Sequence, residues 1–141
     1  NTLKKDHGIR ILLNRGDLKF EEAFFYPMYG AFGAVVEDFD LDGDLDVAAV
    51  AYHPDFSKEV WDNFIYLEQR DRLEFAPKFH EATQKGRWLR IAAGDVDGDG
   101  DKEILLGAAN MMVGVQPDQR ERFLNKIKGG QALLVLRNLA R

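Results

Sequence analysis

Seven short apolar runs punctuate the chain, at 9–13, 32–36, 47–52, 64–67, 89–93, 104–108 and 133–136, each bounded by polar or glycine-rich residues. Runs of this length between turn residues read as buried strands rather than helices. Shorter apolar stretches at 18–20 and 73–75 follow the polar turns 14–17 and 69–72, so a hairpin is expected at each. One segment breaks the pattern. Pro117 stands at a plausible helix start, Gly129 and Gly130 at its stop, and Phe123, Leu124 and Ile127 recur at helical spacing between them.

Two of the polar interruptions share one spacing. Asp38, Asp40, Asp42, Asp44 and Asp46 alternate with Phe, Leu, Gly and Leu; Asp95, Asp97, Asp99, Asp101 and Glu103 alternate with Val, Gly, Gly and Lys. Each loop has carboxylates at positions 1, 3, 5 and 9 and glycine at position 6 (Gly43 and Gly100), the first part of an EF-hand-type calcium loop. Carboxylates packed this closely repel one another until solvent or a divalent ion relieves them. An EF-hand proper lies between helices and closes with Glu at position 12. Here position 12 is Ala49 or Leu106, so closure falls to Asp46 and Glu103 at position 9, with the carbonyls of Asp44 and Asp101 at position 7. The expected unit is strand, calcium loop, strand, with one Ca²⁺ in each of two sites.

The pattern repeats. Leu13 to Leu67, Phe20 to Phe75 and Asp38 to Asp95 give a period of about 55 residues, and the run at 133–138 echoes that at 9–14. Four strands per period suggest a β-propeller blade. The chain resembles the FG-GAP/VCBS repeat family, whose blades carry a D-x-D-x-D-G-x-x-D calcium loop and are similar to those of the integrin α-subunit head. Phe32-Gly33-Ala34 resembles the family's Phe-Gly element, and the likeness spans roughly residues 9–110 and the last strand. Loop 2 departs from the family pattern at Glu103, which stands where the family has Asp.

The expected fold is therefore all-β: a partial propeller of four-stranded antiparallel blades with one short helical insertion. Residues 9–31 would supply strands C and D of one blade and 32–79 a complete blade with loop 1. Residues 89–138 would give an incomplete last blade with loop 2 and an insertion at 110–130. A second insertion is expected at 53–63. Closed propellers need about 4–8 blades, so the chain is expected to be part of a longer propeller, completed by its remaining blades or by a protein partner.

Composition narrows the chemistry. The chain has 141 residues, 45% hydrophobic and 30% charged, with a net charge of −5. The acidity resides in the two loops; the remaining residues carry a small positive excess without a basic stripe for nucleic acid. Cysteine is absent, which excludes disulfides and thiolate metal sites. No run approaches the ~18 apolar residues of a membrane span, and the residues after Asn1 form no secretory leader. His7, His53 and His80 have no second His or Cys at ligand spacing. Arg15-Gly16-Asp17 falls where a hairpin needs a turn. Trp61, Trp88, Phe24, Phe25, Tyr26, Phe64 and Phe79 read as inter-blade packing.

No nucleophile–base constellation and no phosphate cradle is visible, so no catalytic residue is assigned. The expected function is a protein-binding or scaffolding module whose calcium is structural. Loops with few ligands bind around 10⁻⁴–10⁻³ M in extracellular modules, and the family resemblance likewise implies an extracytoplasmic location. The alternative is an accessory part of a propeller-containing enzyme of polysaccharide lyase or phospholipase type. A calcium sensor is disfavoured, since no helices flank the loops to open.

Overall fold

The computed structural model describes residues 6–138. These residues form nine strands in three antiparallel sheets. The first sheet pairs β1 (Gly8–Asn14) with β2 (Phe20–Pro27). The second is a four-stranded meander of β3 (Ala31–Glu37), β4 (Asp46–Ala51), β5 (Phe64–Asp71) and β6 (Glu74–Lys78). The third joins β7 (Trp88–Gly94), β8 (Glu103–Ala108) and β9 (Leu133–Leu136). The sheets do not close into a barrel or ring.

All six residues of β4 are buried, and strand alternation explains why. Ala48 and Val50 face one way, into a core shared with Phe64 of β5 and with Trp88, Ile104 and Leu106 of the third sheet. Val47, Ala49 and Ala51 face the other way, joining Met28, Ile65 and Leu67 against Ile9, Ile11, Phe24 and Tyr26 of the first sheet. The central sheet is thus covered on both faces, and the alanines let its neighbours approach. Each fully buried Leu, Ile or Val contributes about 1.5–3 kcal/mol, so both flanking sheets stabilise the middle one.

Two hairpin expectations need correction. Leu18 and Leu73, expected to start strands, both lie in the turns with positive φ (58° and 62°). Leu18 is 89% exposed. The first turn closes through the Arg15 N–H to the Lys19 carbonyl (2.8 Å) and the Gly16 N–H to Asn14 Oδ1 (2.9 Å). Arg15-Gly16-Asp17 therefore sits in turn geometry, with Arg15 Nε held by Glu21 at 2.8 Å.

The two insertions pack on one another in a third core of Phe56, Trp61, Val115 and Phe123, with Trp61 and Phe123 stacked at 5.6 Å. A 3₁₀ turn at Pro117–Gln119 leads into α1 (Arg120–Ile127). Phe123 and Ile127, four residues apart, share the inward face. Leu124 was expected on that face but is about half exposed, one helical step around. A further 3₁₀ turn at Glu81–Lys85 ties the insertions to the sheets. Its Thr83 carbonyl accepts from Trp88 Nε1 and from Asn63 Nδ2, both at 2.7 Å, while Gln84 brackets the Trp61 backbone at 2.9 and 2.8 Å.

Candidate metal centres

Each acidic loop joins the first two strands of a sheet, β3–β4 and β7–β8, and the two loops fold alike. The Gly43 and Gly100 N–H groups each donate to the position-1 carboxylate (Asp38, Asp95) at 3.1 Å. The Asp44 and Asp101 N–H groups donate to the position-5 carboxylate (Asp42, Asp99) at 3.0 and 3.3 Å. The Phe39 and Val96 N–H groups donate to position 9 (Asp46, Glu103) at 3.2 and 2.8 Å. Residues 57 apart thus make the same contacts. Gly43 and Gly100 hold φ of 99° and 100°, which only glycine adopts readily.

The equivalent of Gly98 (φ 82°) in loop 1 is Leu41 (φ 62°), an exposed side chain in the left-handed region. That conformation costs an ordinary L-residue roughly 1–2 kcal/mol, offset in part by the greater unfolded freedom of glycine. Leu41→Gly is therefore expected to raise stability by up to about 1 kcal/mol in a denaturant melt. A clear loss of stability instead would show that the Leu41 side chain, not its backbone, sets the loop.

In loop 1, oxygens of Asp38, Asp40 and Asp42 lie within 4.8 Å of one another. Asp38 Oδ1, Asp40 Oδ1 and Asp44 Oδ1 are enclosed without a donor. Burial, then the charges of Asp46 and Asp42, pushes the Asp40 carboxyl above its ordinary range. Burial and Asp42 do the same to Asp44, partly countered by the Gln69 amide. Three carboxylates gathered in this way could hold a metal ion, and hard oxygen donors are of the kind that suits Ca²⁺.

Asp46 stands apart from that trio. It is fully buried, and its oxygens accept from the Phe39 N–H, from Tyr66 Oη (2.5 Å) and from the Gln69 N–H (2.8 Å). Burial and the bond to Asp46 raise the Tyr66 phenol well above its usual range, so it stays protonated and donates. Sequence reasoning named Asp46 as a ligand and missed Tyr66, because only strand register places Tyr66 beside Ala48 and thus beside the loop.

Loop 2 offers two trios, each within 4.8 Å: Asp95, Asp97 and Asp99, and Asp99, Asp101 and Glu103. The first is exposed, and Asp97 is paired with the Arg137 guanidinium. The second is inward, with Asp101 and Glu103 buried. Burial first, then Asp99 and Glu103, pushes the Asp101 carboxyl up to about 6. Two contacts tie the loops together. Lys102 bonds Glu37 of β3 at 3.0 Å, and Asn138 Nδ2, beyond β9, donates both to the Phe39 carbonyl in loop 1 and to the Lys102 carbonyl in loop 2 (3.4 Å).

Comparison of the chain with family models, with curated proteins and with solved structures finds no match. Among the described residues no helix is long and apolar enough to cross a membrane.

Proposed function

We propose that this chain is a calcium-stabilised portion of a β-propeller of the FG-GAP/VCBS type, acting outside the cytoplasm as a protein-binding or scaffolding module. The observation that carries the reading is the duplicate loop: one hydrogen-bond pattern, repeated 57 residues on, that encloses carboxylate oxygens without donors. The metal's role is structural. Bound to loop 1 it would neutralise Asp38, Asp40 and Asp42 and fasten the β3–β4 hairpin, so that binding free energy becomes folding free energy.

The sheet arrangement supports a propeller sector. Two, four and three strands lie in sheets packed face against face, with the central meander covered on both sides. In their sheets β1 and β9 each present an edge, suited to added strands from further blades or a partner.

Calcium titration of the whole chain, followed calorimetrically, tests the reading. The expected result is two ions per chain, falling to one in Asp40→Asn, which removes a charged ligand from loop 1 without changing its shape. No binding at millimolar calcium would refute the proposal.

A further inference from the structure

Two register-equivalent replacements set loop 2 apart from loop 1. Tyr66 of β5 pairs with Ala48 of β4; the same place in the third sheet, opposite Leu105, is held by Val135 of β9. Valine has no hydroxyl to donate. The position-9 carboxylate of loop 1 therefore takes three hydrogen bonds. That of loop 2, Glu103, accepts from the Val96 N–H at one oxygen, and its Oε1 has no donor. Glu103 is 0% exposed and Asp101 3%, and Asp101 Oδ1 likewise lacks a donor. The second replacement is two residues along. Where β5 has Glu68, β9 is followed by Arg137, whose guanidinium neutralises Asp97 on the outer side of the loop.

We propose that loop 2 holds its cation at an inner position, chelated by the side chains of Asp99, Asp101 and Glu103, while Arg137 takes the place of a cation at the outer carboxylate Asp97. Loop 1 differs: its outer trio Asp38, Asp40 and Asp42 takes the ion, and Asp46 is occupied by Tyr66 and Gln69. The inner position fits a hard divalent ion, because three carboxylates converge within 4.8 Å and two of them are buried with an unpartnered oxygen. No ion pair reaches Asp101 or Glu103 among the described residues: Lys102 pairs with Glu37 and Arg137 with Asp97, and the Arg137 charge acts on Glu103 and Asp99 only from beyond ion-pair contact. Position 7 thus ligates through its side chain in loop 2, where a calcium loop of this spacing uses the backbone carbonyl.

The inference rests on the calcium reading above, and the test separates the two. On the Asp40→Asn background, which silences loop 1, calcium titration of the full chain reports loop 2 alone. There Asp101→Asn and Glu103→Gln are each expected to weaken binding by at least about tenfold, by loss of a charged ligand. Asp97→Asn is expected to leave affinity within about twofold to threefold, since Asp97 already serves Arg137. Val135→Tyr restores the missing hydroxyl and is expected to weaken binding as well. Circular dichroism of each variant checks folding, and Asp101→Asn carries little folding risk because it removes a buried charge.

Asp97→Asn abolishing binding while Asp101→Asn leaves it intact would overturn the inner site. So would loss of all calcium binding in Asp40→Asn alone. Absence of calcium binding by the unaltered chain would instead fell the proposed function itself.

Discussion

Chelating calcium with EDTA is expected to lower the melting temperature of this chain by about 10 °C. At free calcium ten times the dissociation constant, each occupied loop adds about 1.4 kcal/mol, so two add about 3 kcal/mol. For a chain of this size roughly 3–4 °C follows each kcal/mol. The effect arises because the folded loops gather ten carboxylates that the unfolded chain lets drift apart. Re-adding calcium in excess of the chelator restores the transition. Sodium chloride at matched ionic strength recovers only a part, since screening weakens repulsion but supplies no ligand field to the enclosed oxygens of Asp38, Asp40 and Asp44. A melt indifferent to EDTA would remove the metal from the account of stability.

Much of the strand framework was legible because its signals are local. The run at 47–52 became β4 at Asp46–Ala51, that at 64–67 became β5 at Phe64–Asp71, and that at 104–108 became β8 at Glu103–Ala108. Apolar length between turn residues sufficed there. The errors lie where a residue's chemistry and its place diverge. Leu18 and Leu73 look like strand residues, yet closing each hairpin required left-handed backbone, and the turn took precedence over side-chain burial.

The loops were legible as loops, but their difference was not. Whether position 9 is satisfied depends on a hydroxyl from the neighbouring strand of the sheet, and only register brings Tyr66 or Val135 to it. The third core was equally hidden. Phe56 and Trp61 come from one insertion and Val115 and Phe123 from the other, more than fifty residues on, with no shared periodicity to link them.

Arg87→Met is expected to destabilise the chain by about 2–4 kcal/mol, measured by urea denaturation, and Arg87→Ala by about 3–5 kcal/mol. Arg87 is fully buried just before β7, between the insertions. Its Nε donates to the Tyr52 carbonyl at 2.7 Å, Nη1 to the Met111 carbonyl, and Nη2 to His53 Nδ1 at 2.8 Å. The guanidinium lies 3.9 Å over the Tyr52 ring and faces Phe56 and Phe123 at 5.1 and 5.9 Å. Among the described residues no carboxylate pairs with it; carbonyl dipoles and ring faces hold the charge instead.

Burying a guanidinium is itself costly and lowers its pKa, so an apolar isostere recovers that part. It also strands three acceptors, each worth about 1–3 kcal/mol when left unpaired in the interior, and the second term wins. Lysine reaches with a point charge rather than a fork, so Arg87→Lys should recover only a fraction. Stability of Arg87→Met within about 0.5 kcal/mol of the parent would sink the argument. Hydrogen exchange should locate the damage at 53–63 and 110–130, sparing the β3–β4 pairing.

Acid should act on the same contact. Burial, then the Arg87 charge, holds the His53 imidazole below its ordinary 6.5. A folded value below the unfolded one means the unfolded state binds the proton first. The contribution is complete above pH 6.5 and fades as pH falls through the lower folded value, where Nδ1 can no longer accept from Arg87. Replacing Arg87 removes one of the two causes, so the acid loss should be smaller in Arg87→Met than in the parent chain.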